Sequence, residues 1–89
     1  MKLYKISWNS ISNQYILFDG PKDQDPGRFN SVYELASYFK KSENYKDLKN
    51  RPVYFEVSLI NEKDKDSLED VLNSLFNKAT ISNKSYFKN

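Results

Sequence analysis

The chain has 89 residues, with fourteen Lys and Arg against twelve Asp and Glu and a formal net charge of +2 at pH 7. This length predicts one domain, because two hydrophobic cores would not fit. Histidine and cysteine are absent, which excludes Ser-His-Asp and Cys-His catalysis, disulfides and nearly every zinc site. No apolar stretch has the length of a membrane span and no signal-peptide pattern is present, so we expect a cytoplasmic protein.

The first eighteen residues predict a β-hairpin. In Lys2–Trp8, a set of large aromatic and aliphatic side chains alternates with a mixed set. Gln14–Phe18 is a second apolar run, and a polar segment separates the two. Residues 19–30 hold both glycines and two of the three prolines. We predict a loop there, with Pro26 and Gly27 at the centre of a type II turn.

A first helix is predicted over residues 31–44. Ser31 and Glu34 have the spacing of a capping box, in which each side chain satisfies a free backbone N–H at the helix start. Apolar residues then repeat at helical spacing along one face: Val32, Leu35, Ala36 and Phe39.

Residues 52–60 predict the central strand of a sheet. The sequence PVYFEVSLI alternates between large apolar residues and more polar ones, which is the pattern of a half-buried strand. A second helix is predicted over residues 67–79, starting with Ser67 as its cap. Its apolar stripe is the most regular in the chain: Leu68, Val71, Leu72, Leu75, Phe76 and Ala79.

These elements predict a single α+β domain with the order β-β-α-β-α. Both helices have one apolar stripe, so both are expected on one face of a small, mostly antiparallel sheet, as a two-layer sandwich. Residues 80–89 are expected either to fray as a tail or to add a short fourth strand at residues 85–87. The other face of the sheet stays open, which leaves room for a homodimer.

Carboxylates are the main groups left for enzyme chemistry. Asp19, Asp23 and Asp25 share the predicted loop, and their oxygen atoms suit Mg²⁺ or Ca²⁺. Their spacing does not match an EF-hand, and a solvated loop explains them better. We therefore predict a protein that is not an enzyme and has no metal or cofactor.

Aromatic side chains indicate a binding surface. The chain has seven Tyr and one Trp, and tyrosine hydroxyls are difficult to satisfy inside a small core. Exposed tyrosine is enriched at protein interfaces, although an AT-rich gene also produces many tyrosines. The residues predicted to bind a partner protein are three tyrosines and four charged residues at the rim: Tyr54, Tyr33, Tyr38, Lys40, Lys41, Asp64 and Asp66.

A lysine-rich segment supports an alternative partner, a nucleic acid. Cations in this segment are suited to phosphate contacts, with a tyrosine or Trp8 stacking on bases. Lysines at the end of a helix also simply complement its dipole. The residues predicted for this alternative are Lys40, Lys41, Lys46, Lys49 and Arg51.

The overall composition favours Phe, Tyr, Ile, Asn and Lys over Gly, Ala, Arg and Pro. By the codon table this indicates an AT-rich gene, as in low-GC bacteria and their phages and plasmids. The leading hypothesis is therefore a small binding protein that occupies a partner protein, as an inhibitor of host machinery or defence encoded by a phage or plasmid.

Overall fold

The computed structural model describes residues 2–20, 26–58 and 62–84. Within these ranges the chain forms five strands and three helices. In chain order they are β1 Lys2–Asn9, β2 Gln14–Phe18, β3 Gly27–Phe29, α1 Val32–Lys41, α2 Tyr45–Leu48, β4 Val53–Ser58, α3 Glu62–Leu75 and β5 Ala79–Lys84. None of these helices is long and apolar enough to cross a bilayer.

The strands form one sheet with the order β3-β2-β1-β4-β5. The β1–β2 and β2–β3 pairs are antiparallel, whereas the β1–β4 and β4–β5 pairs are parallel. The sheet is therefore mixed, and not mostly antiparallel as the sequence predicts. Helices connect β3 to β4 and β4 to β5, and each of these crossovers returns the chain to the same end of the sheet, as parallel strands require.

Helices α1 and α3 cover one face of this sheet, so the predicted two-layer α+β sandwich is confirmed. Alternate residues of β1, β2 and β4 face the helices and are buried, which follows from the period of two in a strand. The core consists of Tyr4, Ile6, Tyr15, Leu17, Val32, Leu35, Phe39, Val53, Phe55, Val57, Leu68, Leu72, Leu75 and Phe76.

Aromatic rings meet at the centre of this core around Phe39. Its ring centroid lies 5.1 Å from that of Tyr4, 5.3 Å from that of Phe76 and 6.0 Å from that of Phe55, always edge-on. Burial, followed by the nearby charge of Asp19, raises the pKa of Tyr4 to about 12. Phe39 thus connects α1 to two strands and to the residue that follows α3.

The predicted start of the first helix is confirmed. The Oγ of Ser31 accepts a hydrogen bond from the backbone N–H of Glu34 at 3.2 Å. The Glu34 carboxylate accepts one from the N–H of Asn30 at 3.0 Å, one residue before the position that a capping box uses. The helix ends at Lys41, before the predicted limit of residue 44, because the backbone of Ser42 is extended.

The β1–β2 hairpin is also confirmed, and a side chain shapes its turn. The Oδ1 of Asn9 accepts hydrogen bonds from the N–H groups of Ile11 and Ser12, at 2.9 and 3.2 Å. Asn13 has a φ of 56°, a left-handed conformation that asparagine tolerates better than most residues.

The predicted loop over residues 19–30 contains a strand. Gly27 begins β3, pairs with Leu17 and does not have a positive φ, so the predicted type II turn is wrong at this residue. A Cβ at Gly27 would lie 2.8 Å from the Phe29 ring, and this close approach accounts for the glycine. A strand of three residues is too short for alternation to reveal.

The second predicted helix has different limits. Helix α3 already begins at Glu62, because the Glu- and Lys-containing segment before Ser67 continues the helix without an apolar stripe. It ends at Leu75, and Ala79 belongs to β5 instead. Strand β5 forms where the sequence predicts the end of a helix and a tail, and the optional short strand predicted at residues 85–87 lies outside the described ranges. The predicted central strand forms as β4, beside β1 at the middle of the sheet, while residues 59–60 lie outside the described ranges.

We expect Phe39→Ala to lower the free energy of unfolding by about 3–5 kcal/mol, because it leaves a cavity among aromatic rings. Small domains have a total stability of about 5–15 kcal/mol, so much of the fold stability is lost. Urea denaturation followed by circular dichroism measures this. Tyr33→Ala is the control, since Tyr33 is 80% exposed, and an equal loss in both variants would contradict the central role of Phe39.

Candidate functional site

A cleft of about 450 Å³ opens where the β1–β2 hairpin meets the start of α1 and one side of α3. Three aromatic and two acidic residues characterise it, and we call it the aromatic–acidic cleft. These residues are Trp8, Tyr15, Tyr33, Asp64 and Asp70.

Strand pairing places Trp8 and Tyr15 in the cleft, and the first turn of α1 places Tyr33 there. Trp8 and Tyr15 are directly opposite each other in the antiparallel β1–β2 pair, and their rings meet edge-on with centroids 4.9 Å apart. Tyr33 lies in the first turn of α1, outside its buried stripe, and is 80% exposed. Tyr15 is 4% exposed, so it forms the floor of the cleft and Tyr33 forms its rim.

The electrostatics of the cleft are negative. Burial, followed by the charge of Asp64 in the same cleft, raises the pKa of Tyr15. The Tyr15 hydroxyl therefore stays protonated at neutral pH. Of the described residues that line the cleft, none is Lys or Arg.

A second cleft, of about 470 Å³, lies at the other end of α1. Tyr38 and Lys41 line it together with Tyr4, Asp19 and Glu43. Its charges are mixed, so they favour neither an anion nor a cation.

Among the described residues, most of the exposed cations gather at this same end of the molecule. The starts of β1, β4 and β5 are side by side, and the C-terminus of α1 reaches the same end, as Lys41 lines a cleft with Tyr4. The N–H of Asn77 donates to the carbonyl of Lys49 at 2.9 Å, which brings Lys78 there too. We call this surface the basic end: Lys2, Lys40, Lys41, Lys46, Lys49, Arg51 and Lys78.

Acidic residues neutralise part of the basic end. Lys2 forms an ion pair with Asp19, and Arg51 forms one with Asp47 at 3.0 Å. Trp8 lies six residues along β1 from Lys2, a distance of about 20 Å in a strand. Trp8 is therefore remote from the cations with which it was expected to bind a nucleic acid, and Tyr38 lies nearer to them.

The open face of the sheet carries Tyr54. It is half-buried in a row with Leu3 and Thr80, on the side away from the helices. Lys5 and Glu56 form an ion pair at 3.6 Å on the same face. This face is available for the predicted homodimer, which stays a prediction.

The structure divides the predicted partner-binding residues into separate groups. Tyr33 and Asp64 meet in the aromatic–acidic cleft, and Tyr38 and Lys41 meet in the second cleft. Tyr54 is on the opposite face of the sheet. Lys40 is exposed at the basic end and Asp66 is exposed on α3, outside the aromatic–acidic cleft.

Sequence reasoning did not select Trp8, Tyr15 and Asp70 for the protein-binding surface, and it named Trp8 only for stacking on the bases of a nucleic acid. The predicted hairpin puts Trp8 and Tyr15 on neighbouring strands, so their proximity was accessible from the sequence, although their exact register was not. That α3 lies next to the hairpin is a tertiary contact, and no local pattern indicates it.

The acidic loop, where the sequence predicts no metal site, is only partly described. Asp19 contacts Lys2, while Asp23 and Asp25 lie outside the described ranges. Among the residues that the structure does describe, no three acidic side chains are grouped so that they could hold a metal ion.

The chain matches no protein-family model, no curated protein and no solved structure. Its function is therefore inferred from the geometry of the described residues.

We expect Asp64→Asn to lower the pKa of Tyr15 towards its ordinary value, because the substitution removes a negative charge that disfavours the phenolate. Burial is the larger cause, so part of the upward shift remains. An NMR titration of the tyrosine ring signals measures this. Asp66→Asn is the matched control, and an equal decrease in both variants would show that Asp64 is not close to Tyr15.

Proposed function

We propose that the chain is a small non-catalytic protein that binds and occupies a partner protein through the aromatic–acidic cleft. The observation that carries this proposal is the meeting of Tyr33 and Asp64, which are 31 positions apart in the sequence, in one cleft with Trp8 and Tyr15. Exposed tyrosine beside buried aromatic rings is typical of the centre of a protein interface.

Several features support binding rather than catalysis. The sequence has no histidine or cysteine, the residues most used for acid–base and nucleophilic chemistry. The volume of the cleft, about 450 Å³, is sufficient for an anchoring side chain from a partner. Carboxylates in the cleft favour a partner with a basic surface.

The amino-acid composition, which indicates an AT-rich gene, suggests where such a protein would be encoded. Genes of phages and plasmids in low-GC bacteria have this skew, and small binding proteins encoded there often inhibit host machinery or defence. We therefore propose that the partner is a bacterial protein whose activity falls when this chain occupies its basic surface.

Capture from a bacterial lysate, followed by mass spectrometry, tests the proposal. We expect the wild-type chain to retain a partner that Tyr33→Ala and Asp64→Asn both lose by tenfold or more, on the order of the effect of an interface anchor residue. Asp66→Asn and Tyr38→Ala are matched controls and should retain it. If every protein retained by the wild type is retained equally by the two cleft variants, the proposal is wrong.

A second candidate function, binding to nucleic acid, is supported by the grouping of lysine and arginine side chains at the basic end. All five cations of the predicted segment lie there, and Lys2 and Lys78 add to them. The exposed cationic groups of the segment suit non-specific phosphate contacts, and Tyr38, which lines a cleft with Lys41, is placed to stack on a base.

Fluorescence anisotropy with labelled single- and double-stranded oligonucleotides tests this second function. We expect affinity to fall steeply between low and near-physiological salt, because each phosphate contact releases counterions. The double variant Lys46→Gln, Lys49→Gln should reduce the salt slope by about 1 to 2. Lys65→Gln, on α3, is the control. No binding at low salt would exclude this function.

A further inference from the structure

The aromatic–acidic cleft has two independent features that select a ligand by its charge. The rings of Trp8, Tyr15 and Tyr33 line it, and the face of an aromatic ring attracts a cation through its quadrupole. The carboxylates of Asp64 and Asp70 line the same cleft and attract the same sign of charge. Both features favour a cation, and both disfavour a phosphate or carboxylate.

The start of α1 borders the cleft, and a helix N-terminus ordinarily favours anions. Here the charge of Glu34 is already at that position. Its N–H donates to Ser31, and its carboxylate accepts from the N–H of Asn30 at 3.0 Å. The positive end of the helix dipole is thus matched within the chain, and it does not reverse the preference of the cleft.

We propose that this cleft receives an arginine side chain of the partner, an inference that rests on the proposed function. A guanidinium group is planar, stacks on aromatic rings and makes paired hydrogen bonds with a carboxylate. It is also more weakly hydrated than the ammonium group of lysine, so it enters a cleft with a buried floor at lower cost. Tyr15 supplies that floor, and the exposed ring of Tyr33 covers the bound group.

The chain contains its own reporter for this site. Trp8 is the single tryptophan, so its indole N–H gives one signal in a ¹H–¹⁵N NMR spectrum. N-acetyl-arginine amide is titrated into the ¹⁵N-labelled protein, and N-acetyl-lysine amide and N-acetyl-citrulline amide are the comparison probes. Citrulline has nearly the shape of arginine but no charge, so it separates charge from shape.

We expect a saturable shift of the Trp8 signal with arginine, binding weaker by about threefold with lysine, and no saturation with citrulline. Asp64→Asn and Tyr33→Ala should each weaken arginine binding by about fivefold. Asp66→Asn carries the same chemical change on the same helix outside the cleft, and its affinity should stay within about twofold of the wild type. The remaining backbone signals show that each variant is folded.

Three results would each overturn the inference. They are binding of citrulline equal to that of arginine, binding of lysine equal to that of arginine, and equal losses in Asp64→Asn and Asp66→Asn. Its failure is distinguishable from that of the proposed function. Suppose that Tyr33→Ala and Asp64→Asn lose a partner in lysate capture, while arginine amide leaves the Trp8 signal unchanged. Protein binding through the cleft would then be supported, and arginine would be rejected as the ligand.

Discussion

The structure depends on the aromatic contacts of Phe39. Its ring lies edge-on to Tyr4 of β1, Phe55 of β4 and Phe76 after α3, so one side chain connects both layers. A chain of this length buries only about 60–65% of its unfolded surface, and it has no disulfide. The stability must therefore come from a few large, well-packed side chains. By fixing α1 on the sheet, these contacts also fix where Tyr33 and Tyr38 project.

The connections between strands explain why charge separates along the molecule. β1, β4 and β5 run in one direction, and the crossover helices return in the other, so helix starts gather at one end and helix ends at the opposite end. Acidic residues near a helix start and lysines near its end both complement the helix dipole. That separation alone is a structural feature. The aromatic rings that line the same cleft as Asp64 and Asp70 are not explained by the dipole, and the proposed binding function rests on them.

Local sequence patterns predicted those helices and strands in which the burial of one face determines the residue types. The alternation over β4 and the apolar stripe of α1 each depend on burial of one face, so each is visible within a short segment. The cap at Ser31 is equally local. β3 and the exact limits of α3 were missed because a short edge strand and a polar first turn have no apolar periodicity. Parallel pairing also depends on partners that are distant in sequence.

By itself the sequence determined a single α+β domain, two helices on one face of a sheet, and an excess of tyrosine beyond what the core requires. The reason is that a buried face of a strand repeats every two residues and a buried face of a helix every three to four, so each pattern is visible in a short segment. Only the tertiary structure decided which tyrosines share a surface. The alternation over β4 already put Tyr54 on the face away from the core. The tertiary structure brought Tyr33 and Asp64 into one cleft, because strand order and helix packing join segments that are far apart in the chain.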